Sequence, residues 1–219
     1  MKIISMKVIL IMKKQKRGTD KKREFILFVV FVCVVSILIY RFNKKEDINE
    51  IVAVSSIDDY NYVLDSNETR VYKNYFKDLE KLLKSDNIDE EEYASLISKL
   101  FIIDFYTLNN KLTNQDVGGL QFINSKIKDN FYSKAVNTIY KYVKSNIYGE
   151  RRQNLPEVKD VEIESIKSIK FDEGNIQDNI AYEVVCNVLY KKDLGYSDKI
   201  IIRLIHEDNK LTIVEIEEK

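Results

Sequence analysis

Asp104 falls three and four residues after Phe101 and Leu100, on the apolar stripe of a segment that is hydrophobic on nearly every side. A carboxyl carried there is at least half buried. Burial disfavours its charged form unless donors compensate, which makes Asp104 a candidate binding or acid–base group. The competing role is structural, with tyrosine hydroxyls or backbone amides of the Asn109 to Asp116 turn satisfying the acid; of the two, the structural role is favoured. Tyr93 on the same segment and Tyr182 on a later period-two run are the polar groups that would line a cavity with it.

Other chemistry is thinly represented. The single histidine, His206, stands beside Glu207 and Asp208 at an expected hairpin turn, where a Ser-His-Asp or Cys-His arrangement would have to be built around a tip. A solvated turn is the expectation. Asp58-Asp59 and Glu90-Glu91-Glu92 lack loop-ligand spacing and read as a connector and as a helix first turn favoured by the macrodipole, so no metal is expected. Gly118-Gly119 has no following Lys-Ser or Lys-Thr and is a turn, not a phosphate cradle. Cys33 and Cys186 lie in an apolar run and a late strand, an unpromising disulfide pair. Neither a catalytic set nor a cofactor is expected.

The elements that must position these residues follow an α+β order. Asp65 or Ser66 can cap a first helix, with Glu68 three residues after Asp65 and Tyr72, Tyr75, Phe76, Leu79, Leu82 and Leu83 at helical spacing. A second helix opens on Asp89, with Glu92 completing a capping box, and its apolar residues all round predict burial. A third is expected over 129–147, with Phe131, Ala135, Ile139, Tyr142 and Val143 inward and Gly149 at its end. Past Pro156 the period changes to two. Val161 to Phe171, Ile180 to Tyr190, Ile200 to Leu204 and Leu211 to Ile213 predict four strands joined by turns short enough for a meander. About three helices packed on a curved four-stranded antiparallel sheet is the expected fold of residues 66–219.

Ahead of that domain the sequence predicts a membrane anchor. Phe25 to Tyr40 is a mostly apolar run; snorkelling by Arg41 would extend the span to 25–42, behind a basic tail (1–24) and before a connector (43–65). Nine Lys or Arg precede Phe25, so the amino terminus is expected inside the cell membrane and the single-pass chain's carboxyl-terminal domain outside it. Residues 1–45 hold 12 basic and 2 acidic side chains, out of 35 of each, which leaves 23 and 33 for 46–219. A domain that acidic is a poor partner for nucleic acid.

Leu100-Phe-Ile-Ile-Asp104-Phe-Tyr-Thr-Leu108, followed by Asp116-Val-Gly-Gly119, resembles segments in uncharacterised membrane-anchored proteins of low-GC Gram-positive bacteria. The order of tail, anchor, helices and curved sheet is similar, over roughly Glu68 to Ile216, to the cystatin-like, nuclear-transport-factor-like domains of type IV secretion (conjugation) scaffold proteins. That resemblance implies assembly contacts rather than catalysis. The expectation is a membrane-tethered, non-enzymatic interaction and assembly domain of an envelope complex, with the lipid bilayer and other envelope proteins or a second copy as partners. The alternative is a ligand-binding or hydrolytic domain whose cavity, on the sheet's concave face, is lined by Tyr93, Asp104 and Tyr182. A concave face filled by packed side chains would favour the first, and an open polar cavity the second.

Overall fold

Thr69 starts the first helix: its hydroxyl accepts from the Tyr72 amide at 3.3 Å, and α1 runs Arg70–Leu83 with Tyr72, Phe76, Leu79 and Leu83 buried along one stripe. The cap expected at Asp65 or Ser66 thus lies at Thr69, and Glu68 turns into the core. The next cap is the expected one. Asp89 accepts from the amides of Glu91 and Glu92 at 3.0 and 3.1 Å, and α2 follows over Glu90–Tyr106. Every residue from Leu100 to Tyr106 is buried. A helix apolar on all sides must be covered on all sides, and α2 is flanked by α1 and by the strands of the main sheet.

The computed structural model describes Leu27, Phe28, Val30 and residues 55–219. The chain divides between Ile51 and Val52, and the second part carries the fold. Its main sheet is an antiparallel meander in chain order, β3 (Val158–Glu173), β4 (Ile176–Tyr190), β5 (Lys199–Glu207) and β6 (Lys210–Glu218). Gly174 and Asp208 supply the positive φ that two of its tight turns require. Val184, Cys186, Ile200, Ile202, Leu204 and Ile213 are fully buried on the inner face, under the helices.

Two elements depart from the periodicity. A hairpin of β1 (Ser55–Ile57) and β2 (Tyr62–Leu64) forms where a connector is expected, because three-residue strands are too short to show a period. Gln121 fixes it, accepting from the Val63 amide at 2.8 Å and donating to the Val63 carbonyl at 3.1 Å. The third helix, α3, covers only Lys128–Asn137. Asn137 and Thr138 side chains donate to the Ser133 and Lys134 carbonyls, both at 2.7 Å, and the backbone leaves the helix at Thr138. The phase changes there, so Tyr140 is fully buried and Tyr142, expected inward, is 74% exposed.

The membrane assignment is corrected. Among the described residues no helix is long and apolar enough to cross a membrane. Leu27, Phe28 and Val30 are helical and exposed; the rest of the expected 25–42 span lies outside the described residues. Over residues 55–219 the fold class is α+β with three α-helices and two antiparallel sheets, of two and four strands. The single-pass, cell-membrane location and the bilayer as a partner lose their support with the anchor.

Candidate functional site

The buried charges of this domain meet at Asp104, near the end of α2. Its Oδ2 accepts from the Gly119 amide at 2.6 Å and its Oδ1 pairs with the Lys111 ammonium, whose side chain is 3% exposed. Glu68 is the third member. Burial first, then the adjacent Asp104 carboxylate, push the Glu68 carboxyl from its usual 4.5 up to about 8, against the pull of Lys111. At neutral pH Glu68 therefore keeps its proton beside Asp104. Burial alone would lower the Lys111 ammonium, but Asp104 and Glu68 outweigh it and the net direction is upward. One anion, one cation and one neutral acid leave the cluster without net charge.

Closure over this cluster depends on two glycines and an arginine. The Tyr140 hydroxyl accepts from the Gly118 amide at 3.0 Å and donates to the Phe105 carbonyl at 2.7 Å. A Cβ on Gly118 would overlap Asp104's own carboxyl and carbonyl, and one on Gly119, at φ +74, would lie 2.6 Å from the Phe101 ring. Arg151 donates to the carbonyls of Asn109 (2.6 Å) and Lys111 (2.8 Å), holding the turn that carries Lys111. Gly118→Ala is expected to cost about 1–3 kcal/mol by overpacking. Gly174→Ala, with nothing within 4 Å, costs only the strain of its positive φ. Equal urea midpoints for the two variants would refute the close-approach argument.

Tyr93 and Tyr182 do not join Asp104. The Tyr93 hydroxyl, raised to about 12 by burial, lies 2.8 Å from the Tyr62 hydroxyl and accepts from the Leu211 amide. It precedes Asp104 by three turns of α2, roughly 16 Å along the axis. Tyr182, also raised to about 12, by burial and then by Glu90, donates to Glu90 Oε2 at 2.7 Å.

Beside Tyr182 is a second polar cluster that sequence reasoning places elsewhere. His206 is within β5, opposite Leu211, and not at the hairpin tip. Its amide and Nδ1 both bond Asp178 Oδ2, at 2.8 and 2.7 Å, and its Nε2 stands 3.4 Å from Glu90 Oε1. Burial pushes the Asp178 carboxyl up, but the amides of His206 and Ile180 and the imidazole outweigh it and hold the carboxyl below its usual range. The arrangement pins the first turn of α2 to the sheet. Only a β4–β5 register could have shown it, since the partners are 28 residues apart.

The concave face is filled by α2, and the open concavity lies to one side. Between α3 and β6 runs a groove of about 430 Å³, walled by Phe105, Phe131, Ala135, Ile139 and Ile216. Lys134 and Glu218 line it too, and the Tyr106 hydroxyl donates to Glu218 at 2.6 Å. Among the described residues no His, Cys, Asp and Glu group is set to hold a metal ion.

No family model matches the chain, and no solved structure does. Among curated proteins it is similar to the regulatory protein RecX of Clostridioides difficile (strain 630), 26% identical over 140 residues. The match takes in 60% of this chain and 66% of that protein, just under two thirds of the relative's length. An identity this low does not place the chain in the relative's family.

Proposed function

We propose that residues 55–219 form a protein-interaction domain, without catalytic activity, that receives a partner in the α3–β6 groove. The observation that carries this is the position of the groove: an apolar trough runs beside the outermost strand of the sheet, whereas the concave face is packed solid by α2. Apolar concavities next to a sheet edge suit protein contacts. Both polar clusters fit structural roles, since Asp104 is held by Lys111 and the Gly119 amide and His206 by Asp178. The distant likeness to a protein named as regulatory agrees with action through binding.

Site-specific photo-crosslinking in the producing cells tests the reading. A benzophenone side chain at Ile139, in the groove, is expected to give a discrete protein adduct that is lost in Ala135→Arg. The same probe at exposed Leu189, on β4, should not give that adduct. Identical adducts from both positions, or an unchanged adduct in Ala135→Arg, would remove the groove as the contact site.

A further inference from the structure

The two edges of the main sheet are treated differently by the sequence. β3 is interrupted by register shifts at Val158/Asp160, Ile163/Ser165 and Ile169/Phe171, and it carries Lys159, Lys167 and Lys170. Bulges and lysines are the usual means of keeping an edge from pairing. β6 departs from register once, opposite Arg203/Leu204, and has no lysine between Leu211 and Glu218. Its first half is already covered: Asn124 donates through its amide to the Ile213 carbonyl and through its side chain to Thr212 Oγ1, both at 3.0 Å, and Ile123 bridges Ile213 in parallel. The second half, Val214–Glu218, has no named strand on its outer side among the described residues.

Alternation fixes what that half presents. The Lys219 amide donates to the Lys199 carbonyl of β5 at 3.0 Å, so Glu217 and Glu215 also direct their backbone groups at β5. The amides and carbonyls of Ile216 and Glu218 therefore point out of the sheet, alongside the groove. A strand laid there would place every second side chain against Phe131 and Ile139. The intervening ones would stand on the outer face beside Glu215 and Glu217.

That outer face is acidic. Arg203 serves three carboxylates, Glu215 at 2.7 Å, Glu183 at 2.9 Å and Glu217 at 3.7 Å, and Lys219 reaches Glu217 only at 4.0 Å. The whole of 46–219 is acidic as well, with 33 acidic and 23 basic residues. Resting on the groove as the contact site, we propose that the occupant is an extended segment of another protein, alternating apolar and basic residues. It adds to the sheet as a fifth strand along Val214–Glu218. Main-chain hydrogen bonds supply the register, the groove selects apolar side chains, and Glu215 and Glu217 select basic ones.

The intact chain can be titrated with a seven-residue peptide of alternating Lys and Val, acetylated and amidated at its ends. Saturating peptide is expected to slow exchange of the Ile216 and Glu218 amides at least about tenfold. N-methylation of the alternate residues whose N–H groups face β6 should abolish binding, while methylation of the other set should not. Replacing Glu215 and Glu217 together by Gln should weaken binding about tenfold. A Glu–Val peptide that binds equally well would overturn the charge assignment. Binding that ignores both methylation patterns would overturn strand addition and leave the groove reading intact. Protection of Ile216 and Glu218 without peptide, accompanied by a dimer mass, would make a second copy the occupant and overturn the proposal. So would a failure of the peptide to bind while the Ile139 adduct persists, whereas loss of that adduct would strike the groove reading itself.

Discussion

Lys111→Met is expected to cost the folded chain about 3–5 kcal/mol at neutral pH, enough to consume much of the stability of a domain this size. The residue lies in a polar stretch between α2 and α3, yet its side chain is 3% exposed and its ammonium is the counter-ion of Asp104. Removing it leaves that carboxylate buried with the Gly119 amide as its remaining donor. Asp104→Asn should be milder, at about 1–2 kcal/mol. With Asp104 neutral, Glu68 can release its proton and take over as the partner of Lys111. Asp104→Leu additionally strands the Gly119 amide and should cost about 1–3 kcal/mol more than the Asn variant. Urea denaturation of the three variants gives the order directly. A Lys111→Met cost below about 1 kcal/mol would mean that the pair contributes nothing net.

The second large effect is on pH dependence, and it comes from Glu68. Its carboxyl titrates near 4.5 in an unfolded chain and at about 8 when folded, so between those values the folded state holds the extra proton. Stability from this group is fully present below about pH 4.5 and is lost as pH rises through about 8. The loss is of the order of 3–5 kcal/mol. The wild-type chain is therefore expected to be less stable at pH 8.5 than at pH 5. Glu68→Gln, which is neutral throughout, should flatten that slope and melt higher than wild type at pH 8.5. Asp104→Asn should shrink it in part, because it removes the carboxylate that is the second cause of the Glu68 shift and leaves burial, the first, in place. Parallel wild-type and Glu68→Gln curves from pH 5 to 8.5 would show that Glu68 does not hold its proton in the fold.

Much of the architecture is legible in one dimension because it is written in short-range periods. The apolar spacing from Tyr72 to Leu83, the Asp89 cap and the hydrophobic run of Leu100 to Phe105, interrupted by Asp104, define α1 and α2. The period-two runs after Pro156 define the four-stranded meander. Burial of Asp104 follows from the same pattern, since an acid inside an all-round apolar helix has nowhere else to go. The apolar run of residues 25–42 predicts a spanning helix that is not found among the described residues.

What the periods do not contain is the choice of partners, and the candidate sites consist of partners. Lys111 and Glu68 are seven residues after and 36 before Asp104, in segments whose local composition suits solvent. Only chain closure, which depends on Gly118 approaching Asp104 without a Cβ, brings them together. His206 takes Asp178 and Glu90 through the β4–β5 register and the docking of α2, which no neighbouring residue announces. The groove exists because α3 stops at Asn137, where two side chains capture helix carbonyls, and because the covering segment at Ile123 and Asn124 ends opposite Ile213. Secondary structure was set by contacts within a few residues. The sites were set by pairings across the chain, whose energies depend on burial and distance, and those become defined only when the core closes.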